Sequence, residues 1–127
     1  MAKDRMDVYN HVKDIVVGSC TSQGYRFIQE YMNMLIEDRM VLLLPTSESH
    51  SNSLLNETRI KMVFEIRVIR FLRSEQTLIE LFSFIDDLLS RFDSSMYIER
   101  HKVDYQLSNI NQTNELAMVC KITLEVE

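Results

Sequence analysis

TRIKMVFEIRVIRF, residues 58–71, decides the fold. Ile60, Met62, Phe64, Ile66 and Val68 fall on one parity, and Lys61, Val63, Glu65, Arg67 and Ile69 fall on the other. Period-two alternation with β-branched residues marks a strand with one buried and one polar side. At ~3.3 Å per residue it spans roughly 45 Å, so one end projects beyond its sheet or bends.

The segments that follow give the strand its partners. SEQTLIELFSFIDDLLSRF (74–92) carries Leu78, Leu81, Phe82, Ile85, Leu88, Leu89 and Phe92 at spacings of three and four, the stripe of an amphipathic helix. Ser74 suits its N-cap, Asp93, Ser94 and Ser95 end it, and Glu75, Glu80, Asp86 and Asp87 occupy its outer side. MYIERHKVDYQL (96–107) reads as a strand. Tyr97, Val103 and Tyr105 share one parity and Ile98 the other, which a bulge near Arg100 and His101 reconciles. SNINQTN (108–114) is a turn. ELAMVCKITLEVE (115–127) points Leu116, Met118, Cys120, Ile122, Leu124 and Val126 inward, and Ala117, Val119, Lys121, Thr123 and Glu125 outward.

Upstream, 4–17 is expected to be a helix with Val8, Tyr9, Val12, Ile15 and Val16 on one side. Asp4 or Asp7 favours its start, Gly18 stops it, and 19–24 form a loop. Ile28, Tyr31, Met32, Leu35 and Ile36 suggest a second helix over 25–38. The apolar run 40–44 is a short buried strand closed by Pro45. TSESHSNSLLNE (46–57) is a long polar loop, since Ser and Asn compete with regular backbone bonding. The whole is an α+β, two-layer α(α)ββαββ arrangement. It has a mostly antiparallel four-stranded sheet, with helices on one face and a polar open face on the other.

The 127 residues suit one domain with a real core. Hydrophobic residues make up 46%, with two Gly and one Pro, which disfavours disorder. A net charge of −5 argues against a protein that grips nucleic acid over its whole surface. Arg59, Lys61, Arg67, Arg70 and Arg73 make the long strand locally basic, but Glu65 interrupts them and aromatic interleaving is absent. Cys20 and Cys120 have no metal or redox spacing, and Cys120 reads as a small core residue. The charged start, MAKDRMDVYNH, has no apolar signal core, and no run approaches the ~18 apolar residues of a membrane helix. A soluble protein made in the cytosol, with reduced thiols, is expected.

No constellation points to catalysis, a metal or a cofactor. His11, His50 and His101 lie on different elements. The carboxylates of Asp86 and Asp87 diverge by about 100° on a helix. No nucleophile elbow surrounds Ser19, Ser47 or Ser51, and two glycines cannot build a phosphate cradle. The open face keeps some apolar content, namely Val63, Ile69, Ala117 and Val119. The long strand and the last strand can offer edges to another subunit.

With VFEIRVIRF, then SEQTLIELFSFIDDLLSRF, then a hairpin ending in ITLEVE, the order of elements resembles the tail terminator (tail completion) proteins of tailed bacteriophages. The resemblance implies a non-enzymatic virion protein of the tail and neck, assembled in the host cytoplasm. Such proteins form a ring, usually a hexamer, that caps the tail tube and joins it to the head through a neck protein. DNA passes through the lumen without specific binding. The polar loop, with Glu48, His50 and Asn52, would reach a neighbour or the tube. Lys61, Glu65, Arg67, Lys121, Thr123 and Glu125 on the open face would meet other copies. The alternative is a small adaptor or regulatory module that dimerises through strand edges.

Overall fold

The alternating stretch forms β3 (Thr58–Leu72), the middle strand of a five-stranded sheet. The computed structural model describes residues 4–31, 35–52, 58–95, 98–110 and 115–126. Around β3 stand α1 (Arg5–Gln23), β1 (Arg26–Phe27), β2 (Met40–Asn52), α2 (Glu75–Ser95), β4 (Ile98–Asn109) and β5 (Leu116–Val126). Strand order is β1-β2-β3-β5-β4. Only β1 runs parallel to its neighbour. The architecture is α+β with two helices and a mixed sheet, where four antiparallel strands were expected.

The parities of β3 and β5 sort the core. Phe64, Ile66, Val68, Cys120, Ile122, Leu124 and Val126 are fully buried against α1 and α2. From α1 come Val8, Val12, Val16 and Cys20, and from α2 come Leu81, Phe84, Ile85, Leu88 and Phe92. An Asp4/Asp7 capping box starts α1, with the Asp7 amide donating to Asp4 Oδ1 at 2.8 Å. The helix does not stop at Gly18. It runs to Gln23 and ends where Gly24 takes a left-handed φ of 77°, a backbone shape that favours glycine. Helix α2 likewise continues through Asp93, Ser94 and Ser95.

The expected second helix over 25–38 is absent from its described residues, and Met32 lies outside them. Tyr25 is committed to the core, stacked on Phe84 at 4.1 Å, while Ile28 is buried on the opposite side of the sheet. A stretch that buries residues on both sides of a sheet must be extended. Strand pairing fixes it: the Arg26 amide donates to the Arg39 carbonyl at 2.8 Å and the Ile28 amide to Val41 at 2.9 Å. Tyr31, Leu35 and Ile36, the remainder of the supposed stripe, are exposed.

Pro45 does not close β2. On an edge strand a missing N–H that faces outward costs no ladder bond. The strand bulges at Thr46, whose Oγ1 donates to the Val63 carbonyl, and continues through Asn52. Half of the expected loop 46–57 is therefore strand, and 53–57 lie outside the described residues. In β4 the register shifts between Ile98 and Arg100, one residue before the expected bulge. Ser108 and Asn109 extend β4 instead of opening the turn, of which 111–114 lie outside the described residues, as do Met96 and Tyr97.

The side of the sheet away from the helices is not wholly open. Ile28, Met40, Leu42, Ile69, Ile110 and Ala117 form a second, smaller core there, flanked by Phe71 and Val119. The stripe of α2 also turns further than its spacing suggests. Phe84 is 0% exposed, whereas Phe82 is 45% exposed and meets Tyr105 edge-on at 5.9 Å. Phe84→Ala is expected to lower unfolding free energy by about 3–5 kcal/mol, and Phe82→Ala by about 1 kcal/mol or less. Denaturant melts of the two variants check this; equal losses contradict the orientation of α2.

Candidate functional site

Three groups of polar side chains stand out, and two of them hold the fold together. The first surrounds Arg70, which parity turns toward the helices and which is 3% exposed. Its guanidinium donates to the Tyr25 hydroxyl at 2.9 Å, Glu80 Oε2 at 2.9 Å and Asp38 Oδ1 at 3.1 Å. The same Asp38 oxygen accepts the Phe71 amide at 2.8 Å. The hydrogen bond from Arg70 holds the Glu80 carboxyl below its ordinary range, and burial pushes the Tyr25 phenol up. Sequence reading grouped Arg70 with a basic surface. Its parity with Phe64 and Val68 was the available signal for the opposite placement.

The second group joins the helices. The hydroxyl of fully buried Ser19 donates to Asp87 Oδ2 at 2.9 Å, and Arg91 Nε donates to the same oxygen at 2.9 Å. Asp87 thus clasps α1 while Asp86 faces solvent, so the two carboxylates diverge. The thiols of Cys20 and Cys120 are buried and pushed up to about 12 by desolvation. Among the described residues no group of three or more His, Cys, Asp or Glu can hold a metal ion, and no helix is long and apolar enough to cross a membrane.

The third group is the polar side of the sheet, the candidate interface. Arg67 stands directly opposite Lys121 across β3 and β5, an arrangement of like charges that is unfavourable alone. Glu65 resolves it: Oε2 lies 2.9 Å from Arg67 Nε and Oε1 2.8 Å from Lys121 Nζ. Lys61 pairs with Glu99, Arg100 with Glu125 at 3.8 Å, and Lys102 with Asp104 at 3.8 Å. Thr123 faces Glu65 in the register. Here Lys61, Arg67, Arg100, Lys102 and Lys121 meet Glu65, Glu99, Asp104 and Glu125, so 5 − 4 leaves +1. Helix α2, with Glu75, Glu80, Asp86, Asp87 and Asp93 against Arg91, carries 1 − 5 = −4.

The nine expected interface residues fall into the two groups in which they were expected, six on the sheet and three in what the structure shows as β2. Lys61, Glu65, Arg67, Lys121, Thr123 and Glu125 lie on the polar side. Glu48 and His50 stand opposite Met62 and Ile60, on the helix side, and Asn52 pairs in register with Thr58. Glu48 accepts from Arg5 of α1 at 2.7 Å and sits 2.9 Å from His50 Nε2. The edges also differ from expectation. β3 and β5 are interior, and among the described residues β4 and the part of β2 beyond the two residues paired with β1 have no further strand beside them. Strand order is what a single sequence does not encode, because a hairpin partner and a distant partner give the same alternation.

Acid unfolding tests the first group. A carboxyl held low in the folded state contributes stability that is present above its unfolded pKa and lost as pH falls through the folded one. Glu80→Gln is therefore expected to flatten the loss of melting temperature between roughly pH 5 and pH 3, leaving the share due to Glu48, which Arg5 holds low in the same way. On the polar side, Glu65→Gln leaves Arg67 and Lys121 facing each other. It is expected to lower stability by about 1–2 kcal/mol at low salt and by less at roughly 0.5 M NaCl, measured by denaturant titration.

No family model matches the chain, and no curated protein is significantly similar to it.

Proposed function

We propose that this chain is a structural assembly protein that builds a homo-oligomeric ring of the tail terminator kind. The ring caps a phage tail tube and joins it to the neck. The observation that supports the reading is that, among the described residues, β4 at one side of the sheet and β2 beyond Val41 at the other have no further strand beside them. A chain with different open edges on opposite sides makes head-to-tail contacts, and such contacts close into rings when the rotation between copies allows. The resemblance in element order supports the same reading and supplies the hexamer, the tube and neck partners and the place in the virion.

The charge distribution agrees with that role. Six copies at −5 give 6 × (−5) = −30, and α2 alone holds −4 in each copy. Like charge keeps a passing polyanion from sticking to the ring. On the polar side of the sheet Glu65 pairs with both Arg67 and Lys121, so a protein partner covering these residues buries an ion-paired cluster.

Purified protein, alone or mixed with the tube protein of its own particle, is expected to form closed rings in negative-stain micrographs, with a light-scattering mass near six chains. A stable dimer that never forms rings under either condition overturns the reading in favour of a dimeric adaptor.

A further inference from the structure

We infer that the strip between α2 and β4 is a docking face for one amphipathic helix of a partner protein, a helix whose apolar stripe is flanked by Lys or Arg. The inference goes beyond the ring reading and does not depend on it. Register puts Tyr105 and Leu107 of β4 on the helix side of the sheet, opposite Cys120 and Met118 of β5. Cys120 is fully buried under the helix layer, yet Tyr105 and Leu107 are 48% and 57% exposed. Phe82 meets Tyr105 edge-on, and Ile79, three residues earlier on α2, is 53% exposed. Leu116 shares the parity of Met118 and Cys120 and is exposed as well. Of the nine large apolar side chains exposed among the described residues, these five gather in one place. Single exposed apolar residues are ordinary, whereas a gathering of them marks a contact surface.

Charge says what covers the strip. At about 3.6 residues per turn, Glu75, Phe82, Asp86 and Asp93 share the flank of α2 that faces β4. Burial first, and Asp86 among the lesser causes, pushes the Tyr105 phenol up, which puts that carboxylate at the rim of the strip. Glu75, Asp86 and Asp93 are exposed and form no ion pair among the described residues. Arg91, the one base of α2, bonds Asp87 on the opposite flank, where Glu80 is bonded by Arg70. Arg73, ahead of α2, and His101, early in β4, lie toward the two ends of the strip. An occupant therefore meets three unpaired carboxylates along one wall. That favours Lys or Arg beside its apolar residues and disfavours an anionic lipid surface or a nucleic acid.

The same charges turn away a second copy. Strip against strip would set the three carboxylates of one α2 against those of the other. The remaining helix, α1, has Arg5 and Lys13 against Asp7 and Asp14, so 2 − 2 = 0 and no basic flank is available. Spacing sets the form of the occupant. Packed helices lie about 8–10 Å apart, roughly two strand spacings. A helix laid beside α2 thus stands over β4 and its outer edge, with Ile79 and Phe82 at its side and Tyr105 and Leu107 beneath it. A strand added to the β4 edge would lie in the plane of the sheet and leave Ile79 and Phe82 uncovered.

Designed peptides test the chemistry, read by fluorescence anisotropy. The probe is a helical peptide of about 18 residues, Leu and Lys only, with Leu recurring at three and four. The controls are a Leu/Glu helix of the same pattern and a Leu/Lys isomer without an apolar stripe. The probe is expected to bind about tenfold tighter than either control. Phe82→Ala and Leu107→Ser are each expected to weaken it about tenfold, and Asp86→Asn about threefold at low salt. Met6→Ser, at an exposed residue of α1 beside the Arg5–Glu48 pair, is expected to change nothing. Where Phe82→Ala fails to melt cooperatively, Leu107→Ser and Asp86→Asn decide in its place. Equal binding of the stripeless isomer overturns the inference, as does binding that the folded variants leave unchanged. It is also overturned if the chain self-associates in light scattering and Leu107→Ser returns it to monomer, which makes a second copy the occupant. Cosedimentation with phosphatidylglycerol vesicles that Leu107→Ser abolishes overturns it in favour of lipid.

Discussion

The buried guanidinium of Arg70 is the constraint from which the rest follows. A cation removed from water must be met on every side, and breaking such a pair is far more costly than never having built it. Here the partners come from three places: Tyr25 and Asp38 from the segment between α1 and β2, and Glu80 from α2. One side chain on the middle strand thus fixes where the chain goes after α1. The segment held in this way closes the start of β2, brings Ile28 over the back of the sheet and creates the second apolar cluster. What it leaves uncovered is equally consequential, because β2 beyond that point has no outer neighbour among the described residues.

The polar side of the sheet shows a related logic at lower stakes. Arg67 and Lys121 meet head-on because register puts them there, and a single buried carboxylate, Glu65, makes the meeting tolerable. The Arg100–Glu125 and Lys102–Asp104 pairs beside it are longer and more exposed, and pairs of that kind contribute little each. Their effect is to present a nearly neutral surface in a chain that is acidic as a whole. The excess negative charge sits on the other layer, mostly on α2.

Much of the second half of the chain was legible because burial on one side of a sheet writes itself into parity. β3, α2 and β5 appear where the alternation and the helical stripe place them. The misreadings have identifiable causes. Ile28, Tyr31, Leu35 and Ile36 mimic a helical stripe, but Ile28 serves a sheet face and the other three are exposed. Pro45 is a strong breaker only where its nitrogen faces a partner, and edge position is not visible in a single sequence. Glu48 and His50 look like loop residues next to Ser and Asn, yet a one-residue bulge at Thr46 sets their face. Of the candidate interface, the six residues expected on the open face lie on that side of the sheet, while Glu48 and His50, expected in a loop, stand on β2. The strands that present free edges were misassigned, since nothing in a linear string orders β5 between β3 and β4.

The separation of charge between the two layers has a mechanical meaning. The residues of α2 sum to −4, while the ion-paired groups on the polar side of the sheet nearly cancel, so negative charge is concentrated on the helix layer. Within a Debye length of about 8 Å, an anionic surface repels that layer more than it repels the sheet. A molecule brought close to such a surface is favoured with its helices turned away from it.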